Sequence, residues 1–381
     1  MSGAEAVDRL RLARAEGVGP VTYRRLLRRY GNPNAAISAL PELARAGGRA
    51  ASPSIPSRAA ANRELEQLAR LGGRMLFLGA PDYPPLLALL EDAPPALAVL
   101  GDVTALNARA VALVGGRNAS ANGQRIAEEL ADALATAGLL IVSGLARGVD
   151  AAAHQGALRG GRTVAAVAGG LDVPYPPEHA LLQRQITEIG AVVAEAPLGT
   201  APQARHFPRR NRIIAGLSLG VVIVEAAPRS GSLITARLAQ EAGREIFAVP
   251  GSPLDPRCRG SNDLIRQGAY LTESAADVLD NLPDHPSREG IQRSPLFARG
   301  RPPPVVAEPP APLEGPELSD ADRATLRRQV TALLGPSPTS VDDLVRRCQM
   351  SAAAVLAALL ELELAGRVET LPGNRVALIA E

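Results

Sequence analysis

The chain has 381 residues, of which 46% are hydrophobic and 21% charged, the composition of an ordinary globular protein with room for two or three domains. Its net charge of +2 excludes a strong overall basic field, so any polyanion site must come from local clustering of basic side chains. No stretch approaches the ~18 apolar residues of a membrane span, and the first residues lack a signal-peptide core. We therefore expect a cytoplasmic protein with no membrane segment.

All 41 basic residues are arginine. Biased base composition of the genome would explain this, but each basic contact can then be planar and bidentate, and a Schiff-base lysine is excluded. The two cysteines, Cys258 and Cys348, lie far apart and have no neighbouring cysteine or histidine. This spacing argues against a disulfide framework or a zinc site and is typical of a reducing compartment. We expect neither a metal ion nor a cofactor.

Residues 1–72 are predicted to form short helices broken by glycine and proline. The segment Gly17–Tyr23 starts with a glycine turn and precedes four arginines at positions 24, 25, 28 and 29, a pattern typical of a helix-hairpin-helix. In such a hairpin, backbone N–H groups at a helix N-terminus can approach a phosphate. A small helical bundle with an exposed basic face has the same pattern, so both interpretations stay open.

Residues 73–282 consist of short apolar segments that alternate with longer amphipathic ones. The apolar segments have the length of strands and are Met75–Leu78, Val111–Val114, Leu139–Val142, Thr163–Ala168, Ala191–Ala194, Gly220–Val224 and Glu245–Val249. Ala121–Ala137 and Ser232–Ala242 have the length and spacing of helices. This alternation predicts βαβ units, and therefore an α/β domain whose mostly parallel sheet is covered by helices on both faces.

Residues 283–318 contain ten prolines and little apolar periodicity, which is typical of an extended or disordered linker. Residues 319–381 contain three helical segments and then two short strands around a turn at Leu371–Gly373. The helices are predicted at Ser319–Leu334, Ser340–Arg347 and Ser351–Leu364, and the strands at Arg367–Thr370 and Asn374–Ile379. Three helices followed by a β-hairpin predict a winged helix.

The last of these helices, Ser351–Leu364, occupies the place of the helix that contacts bases and phosphates in a DNA-binding winged helix. It has no arginine and carries Glu361 and Glu363. We therefore expect it to contact protein rather than DNA.

Glycine-rich loops follow four of the predicted strands, at the carboxyl ends where open parallel sheets bind their ligands. They are Gly115–Gly123, Ser143–Asp150, Gly169–Asp172 and Glu225–Ser232. Small residues let backbone N–H groups and helix N-termini face an anion, and three of the loops carry an arginine. Each loop alone is compatible with an ordinary tight turn, but four in one sheet predict a phosphate-binding surface. The absence of G-x-G-x-x-G at the first loop and of any G-x-x-x-x-G-K-[ST] disfavours NAD and ATP.

The segment Arg205–Arg212 packs four arginines and Phe207 into eight residues, in a chain with only four Phe and no Trp. A solvated helix face would explain such a run of charge. However, no acidic residue is interspersed to pair with the arginines. A single-stranded nucleic acid needs this combination, with cations along its phosphates and a ring on which a base can stack. Arg209, Arg210 and Arg212 share one helical turn, so they cannot all face the same side.

Groups suited to catalysis are scarce. His154 lies on a predicted helix four residues after Asp150, and we interpret the two as a structural pair on one helix face. Glu195 and Glu225 each follow or end a predicted strand, but neither has a nucleophile or a metal partner nearby in sequence. No triad or metal cluster is assembled, so we expect no catalytic residue.

Taken in chain order, these segments resemble the DNA-processing protein DprA (Smf) family across the whole α/β region. The matching segments are Asp82–Pro84, Gly115–Gly123, Ser143–His154, Gly170–Pro176, Phe207–Ser218, Ser230–Ala236, Val249–Ser252 and Gly260–Asn262. The first and last regions resemble, less specifically, the SAM-like helical domain and the winged-helix domain that flank this core in many members.

The resemblance implies an extended Rossmann-like core with a mostly parallel sheet, flanked by a SAM-like helical domain and a winged-helix domain. It implies a bacterial cytoplasmic protein that binds and protects incoming single-stranded DNA and helps to load the RecA recombinase during natural transformation. It also implies a homodimer through the Rossmann-like core, no cofactor and no established catalytic reaction.

By the same resemblance, the first loop, the arginines and a helix start hold backbone phosphates, and Phe207 is the stacking platform. The implied DNA-binding residues are Gly115, Gly116, Arg117, Ser120, Arg147, Phe207, Arg209, Arg210, Asn211, Arg212, Ser230, Gly231 and Ser232. The family usually has Gly-Ser-Arg where this chain has Gly115-Gly116-Arg117, so one hydroxyl contact is missing here.

A nucleotide-processing enzyme is the alternative. The same type of core resembles the nucleoside-monophosphate phosphoribohydrolases (LOG-like proteins), whose P-G-G-x-G-T-x-x-E loop supplies a catalytic glutamate. When Thr235 is aligned with the threonine of that loop, Leu238 stands where the glutamate belongs. A hydrolase without its general base is disfavoured, and release of free base from nucleotides would discriminate the two functions.

Overall fold

The structure is a computed structural model that describes residues 2–283, 320–371 and 373–379. They form two compact units. One comprises the described parts of Met1–Arg63, Glu91–Ala96 and Pro304–Glu381, and the other Glu64–Leu90 with the described part of Leu97–Pro303. The predicted proline-rich linker lies outside the described residues, apart from Pro283.

The helices and strands of the described residues are numbered in chain order. The α-helices are α1 (Gly3–Ala13), α2 (Pro20–Tyr30), α3 (Pro33–Ala46), α4 (Arg58–Arg70), α5 (Pro85–Ala88), α6 (Ala121–Thr136), α7 (Val149–Gly160), α8 (Ala180–Ile189), α9 (His206–Gly216), α10 (Gly231–Glu241), α11 (Arg259–Arg266), α12 (Ala275–Asn281), α13 (Asp320–Leu333), α14 (Val341–Cys348) and α15 (Ala352–Leu364). The strands are β1 (Gly73–Phe77), β2 (Ala96–Gly101), β3 (Ala110–Gly115), β4 (Leu140–Ser143), β5 (Thr163–Val167), β6 (Ala191–Ala194), β7 (Gly220–Val224), β8 (Glu245–Ala248), β9 (Tyr270–Leu271), β10 (Thr339–Ser340), β11 (Val368–Leu371) and β12 (Arg375–Leu378).

The α/β unit is built on a nine-stranded sheet in the order β1-β2-β6-β5-β4-β3-β7-β8-β9. The pairs from β6 through to β9 are parallel, while β2 runs antiparallel to β6. From β3 the chain winds outward to β6 on one side, and from β7 to β9 on the other. The sheet therefore has its topological switch point between β3 and β7, where open sheets of this kind bind ligands.

The central strands are buried on both faces. Every residue of β5 and β7 is buried, and both strands consist mainly of apolar residues, valine and alanine in β5 and valine and isoleucine in β7. Such continuous apolar runs are typical of parallel strands covered on both sides, because each successive side chain points to the opposite face. The main core joins β3, β4 and β7 to helices α6 and α7. The predicted α/β fold with a mostly parallel sheet is therefore confirmed.

The seven predicted strands are present within two residues of their predicted bounds, but β2 and β9 were missed. The short apolar segment of β2 follows two prolines, and its length cannot distinguish a strand from a buried helical turn. The two residues of β9 are too few for a periodic signal.

The winged helix contains α13, α14 and α15 and a three-stranded antiparallel sheet in the order β10-β12-β11. Its apolar core includes Leu326, Leu344, Val355 and Leu359. The predicted three helices and hairpin are present, and β10 is an additional strand of only two residues.

The N-terminal helices α1, α2 and α3 surround a core that includes Leu12, Tyr23, Leu26 and Leu40. The predicted glycine turn lies between α1 and α2, and Gly17 adopts a φ of 79°, which favours glycine. Proline at the first position of α2 is compatible with a helix start, because the N–H that it lacks has no partner there.

The predicted pair between His154 and Asp150 is wrong, although both residues are buried. Nδ1 of His154 lies 2.8 Å from the hydroxyl of Thr163, which donates to the carbonyl of Ile141 at 2.7 Å. The ring therefore donates to Thr163. The Asp150 carboxylate instead accepts from the backbone N–H of Ala146 at 3.3 Å. Spacing on one helix face allowed the pair, but neighbouring elements supply other partners.

His154 makes stability depend on pH. Burial, together with the charges of Arg210 and His179, lowers its pKa to about 3. Because the unfolded value is about 6.5, the folded protein favours the neutral ring. The contribution of His154 to the free energy of unfolding is complete above about pH 6.5. It falls by about 1.4 kcal/mol for each pH unit as the pH is lowered from there toward 3. We expect His154→Gln to show a shallower loss of unfolding free energy than the wild type between pH 6 and 4 in urea titrations. Equal slopes would contradict this.

Candidate nucleic-acid interface

A cleft of about 820 Å³ opens at the switch point between β3 and β7. Its walls come from the loop after β3, the loop after β7 with the start of α10, and one face of α9. The cleft is thus at the carboxyl ends of the strands, where the glycine loops predicted a phosphate-binding surface.

Helix α9 presents one face to the cleft. Phe207, Arg210, Asn211 and Ile214 all line it, and their spacing of three and four residues puts them on the same side of a helix. Arg209 is exposed. The arginines of this run therefore diverge, as helical geometry predicts.

Phe207 lies between charged and aromatic neighbours. The guanidinium carbon of Arg117 is 4.5 Å from the centre of the Phe207 ring. The ring of Tyr175 is 5.8 Å away and tilted by 59°. Arg117 is exposed and stacks over the ring, a geometry in which the ring quadrupole attracts a cation. The cleft thus holds a flat aromatic surface and an exposed positive charge in contact.

Arg210 is a buried charge at the base of the cleft. Its Nη1 donates to the carbonyl oxygen of Ala166 at 2.9 Å, and it faces Asp150 across Gly144. A Cβ at Gly144 would overlap the guanidinium, so glycine is required there. Burial lowers the pKa of Arg210 and raises the pKa of Asp150, and the opposite charge of each partner counteracts this. Arg210 and Asp150 therefore form a buried charge pair at the base of the cleft.

Arg212 points away from the cleft. Its Nη2 lies 2.6 Å from both carboxylate oxygens of Glu195, directly after β6, and both side chains are largely buried. The arginine run contains no acidic residue of its own, but Arg212 nevertheless has an acidic partner. Its partner comes from another element, and this contact also occupies Glu195, one of the two isolated glutamates.

The other glutamate, Glu225, holds the loop after β3. Its carboxylate accepts from the backbone N–H of Ser120 at 2.8 Å and from the Ser120 hydroxyl, and its carbonyl accepts from Gly116 N–H at 2.8 Å. The Ser120 hydroxyl also caps α6 by accepting from Gly123 N–H at 2.9 Å. Glu225 has a φ of 50°, which is unusual for a side chain of this type. These contacts fix the loop and leave the hydroxyl of Ser120 engaged inside the protein.

The start of α10 forms the opposite wall. Ser230 caps the helix and its hydroxyl lies 2.7 Å from that of Ser232. Gly231 is exposed between them, so the helix N-terminus is open to the cleft. A helix N-terminus carries partial positive charge and free N–H groups, which favour an anion.

The cleft brings together most of the predicted binding residues, but not all. The predicted residues that line it are Gly115, Gly116, Arg117, Phe207, Arg210, Asn211, Ser230, Gly231 and Ser232. Ser120, Arg147, Arg209 and Arg212 are not among its lining residues. Arg147 is exposed and pairs with Glu178 at 2.5 Å, in a contact between residues 31 positions apart.

Several lining residues were not among the predicted binding residues, and they include Tyr175, Arg229 and Arg257. Arg229 lies inside a glycine loop, and Tyr175 lies inside a segment that matches the family, so both carried a sequence signal. Arg257 did not, because it reaches the cleft from the turn before α11. It pairs with Asp255 at 2.7 Å.

Among the described residues that line the cleft, the carboxylates are those of Asp150 and Glu225, and both have internal partners. Leu238, at the position of the phosphoribohydrolase glutamate, is not a lining residue. No group of three or more His, Cys, Asp or Glu suited to a metal ion occurs in the described part of the chain. None of the helices described is both long and apolar enough to span a bilayer.

Three family models match the chain in succession. The model of DNA recombination-mediator protein A matches residues 74–283, the DprA-like N-terminal HHH domain matches residues 3–67, and the DprA winged-helix domain matches residues 308–374. The N-terminal match favours the helix-hairpin-helix interpretation over a plain helical bundle. The domain bounds predicted from sequence, 1–72, 73–282 and 319–381, stay predictions.

Individual proteins and solved structures that are similar to this chain carry the same family names. Protein Smf of Escherichia coli is 41% identical over 298 residues, which cover 78% of this chain and 75% of that protein. The structure of DprA from Streptococcus pneumoniae has a TM-score of 0.58 and 38% identity, covering 67% of this chain and 83% of its own. The structure of DprA from Helicobacter pylori, described for its single-stranded DNA binding mode, has a TM-score of 0.50 and 30% identity, covering 55% and 95%. The chain therefore belongs to the DNA recombination-mediator protein A family, whose members are called DprA or Smf.

Proposed function

We propose that this protein binds single-stranded DNA in the cleft between β3 and β7, protects the incoming strand and helps to load RecA recombinase on it during natural transformation. The observation that carries the proposal is the contact between Arg117 and Phe207 opposite the open N-terminus of α10. It combines phosphate-binding groups with a stacking surface, as a single strand requires. The single-stranded DNA binding described for the Helicobacter pylori relative supports it.

The geometry suggests distinct roles for the predicted residues. Arg117 and the helix start at Ser230–Ser232 would hold phosphates, and Phe207 would stack on a base. Arg147 and Arg209 are exposed next to residues that line the cleft, so they would contact the strand outside it. Gly115 and Gly116 would let the backbone approach the strand. The remaining predicted residues, Ser120, Arg210, Asn211 and Arg212, would support these walls from inside.

Binding of fluorescent oligo-dT and of a duplex of equal length, at 50 and 200 mM salt, tests the proposal. We expect tighter binding of the single strand, and a logarithmic affinity that falls linearly with the logarithm of salt by about 0.7 for each phosphate neutralised. Equal affinity for duplex and single strand would overturn the assignment of the ligand.

RecA loading needs a separate measurement. On single strands already covered with single-strand-binding protein, we expect the chain to shorten the lag of RecA filament formation, and to slow digestion of free strands by an exonuclease. An unchanged lag with intact DNA binding would remove the loading role and leave the binding function in place.

The stacking role predicts a particular response to Phe207→Ala. Loss of one base–aromatic stack costs about 1–3 kcal/mol, so we expect oligo-dT affinity to fall roughly 5- to 150-fold. The salt slope should not change, because no charge is removed. Phe207→Tyr keeps the ring and is the matched control. An unaltered affinity of Phe207→Ala in anisotropy titrations would exclude the stacking platform.

We further propose a cytoplasmic homodimer that assembles through the α/β unit and acts without a catalytic reaction or a cofactor. Sedimentation equilibrium of the full chain tests the dimer. Incubation with nucleoside monophosphates tests the absence of phosphoribohydrolase activity, since release of free base would contradict it.

A further inference from the structure

Helix α15 of the winged helix is buried on two sides. One side joins the core of its own domain through Val355, Leu359 and Leu362. Leu360 and Leu364, which are 3% and 0% exposed, belong instead to the core of the N-terminal helices α1, α2 and α3. The two terminal domains therefore share apolar contacts within one compact unit.

The composition of α15 explains why it needs two partners. Its thirteen residues are alanine, valine and leucine apart from two glutamates, so no polar face remains for water. A helix that is apolar all round is buried in a protein core rather than placed at a surface.

The two glutamates of α15 also have partners on packed elements. Oε2 of Glu363 lies 3.8 Å from Nη1 of Arg25 in α2, and both side chains are largely buried. Burial raises the pKa of Glu363, against the effects of Thr22, Arg25 and Thr370. Glu361 pairs with Arg327 of α13 at 2.5 Å.

The backbones of α15 and α3 approach closely at one point. A Cβ at Gly47, directly after α3, would overlap the carbonyl oxygen of Glu361, so glycine is required for the contact. Apolar, ionic and backbone contacts thus all hold α15 against the N-terminal helices in the same arrangement.

This geometry is incompatible with DNA reading by α15. In a DNA-binding winged helix, the corresponding helix presents polar side chains to the major groove. Within α15, only Ala352 at its start is exposed, and the helix offers no donor side chain for a base or a phosphate.

We propose that the winged helix is a protein-binding domain whose partner is the helix-hairpin-helix domain of the same chain, with α15 as the docking helix. This inference does not depend on DNA binding in the cleft of the α/β unit. In this proposal the C-terminal domain binds the N-terminal domain of the same chain.

Cleavage of the full chain tests the proposal. A protease site introduced near residue 300 allows the two ends to be separated covalently after folding. We expect the C-terminal fragment to co-elute with the rest of the cleaved protein in size-exclusion chromatography. In Leu360→Asp/Leu364→Asp the fragment should elute alone. Ala352→Asp, on the same helix but exposed, is the matched control and should co-elute.

A charge exchange keeps the test valid if the aspartate variant fails to fold. Arg25→Glu and Glu363→Arg should each release the fragment, and the double exchange should restore co-elution. Separation of the wild-type fragments would overturn the proposal. A large loss of DNA affinity on release of the fragment would also overturn it, because the winged helix would then be a DNA-binding domain.

Discussion

Arg117→Ala is expected to weaken oligo-dT binding about 10- to 150-fold, because a hydrogen bond to a charged group contributes about 1.5–3 kcal/mol and each 1.4 kcal/mol is tenfold in affinity. Arg117 is exposed at the cleft and stacks on Phe207, so its removal deletes a cation and uncovers the ring. The loss of one phosphate contact should also reduce the salt slope by about 0.7.

Two controls sharpen this experiment. Arg237→Ala removes another exposed arginine, in α10, at a position that does not line the cleft, and should leave affinity nearly unchanged. Arg117→Lys keeps the charge but not the planar group, and should restore the salt slope better than the affinity. If Arg117→Ala and Arg237→Ala gave the same affinity, the cleft would not be the binding site.

Arg210→Met should destabilise the fold rather than remove a DNA contact. It leaves the buried carboxylate of Asp150 without its facing charge and the Ala166 carbonyl without its donor. Removing one partner of a buried charge pair typically costs about 3–5 kcal/mol, which we expect as a loss of unfolding free energy in urea titrations.

The double variant Arg210→Met/Asp150→Asn should recover part of that loss, since the unpaired charge is gone. The pH dependence has a definite sign. Because burial raises the pKa of Asp150, the protonated carboxyl is favoured in the folded state, and stability is lost as the pH rises through that pKa. The deficit of Arg210→Met should therefore shrink toward low pH. A deficit independent of pH and unaffected by Asp150→Asn would contradict the pairing.

The α/β fold could be predicted because each strand carries its own local signal. Continuous apolar segments such as β5 and β7 are bounded by glycine or polar residues, and the glycine loops directly follow the strands. The strand β9 carries no such signal, because it forms only by pairing with β8. Local composition thus predicts the sheet centre better than its edges.

The site was less predictable because its charged residues pair with residues that are far away in the sequence. Helical spacing indicated that the arginines of α9 diverge, but not that Glu195 would take Arg212 or that Glu178 would take Arg147. The lack of arginine in α15 and its two glutamates predicted a protein contact, while its partner lies more than 300 residues earlier in the chain. Such pairings depend on tertiary structure, and no motif encodes them.

The guanidinium of Arg117 lies over the ring of Phe207. In the proposed function, a base can stack on that side of the ring only when Arg117 turns away, and the attraction of a phosphate would draw it aside. When Arg117 binds a phosphate it leaves the ring of Phe207, and a base can then take its place on the ring. Polyanions without bases, such as heparin or polyphosphate, would displace the arginine yet leave the uncovered ring facing water. The cleft would in this way discriminate nucleic acid from other polyanions without contacting any base edge.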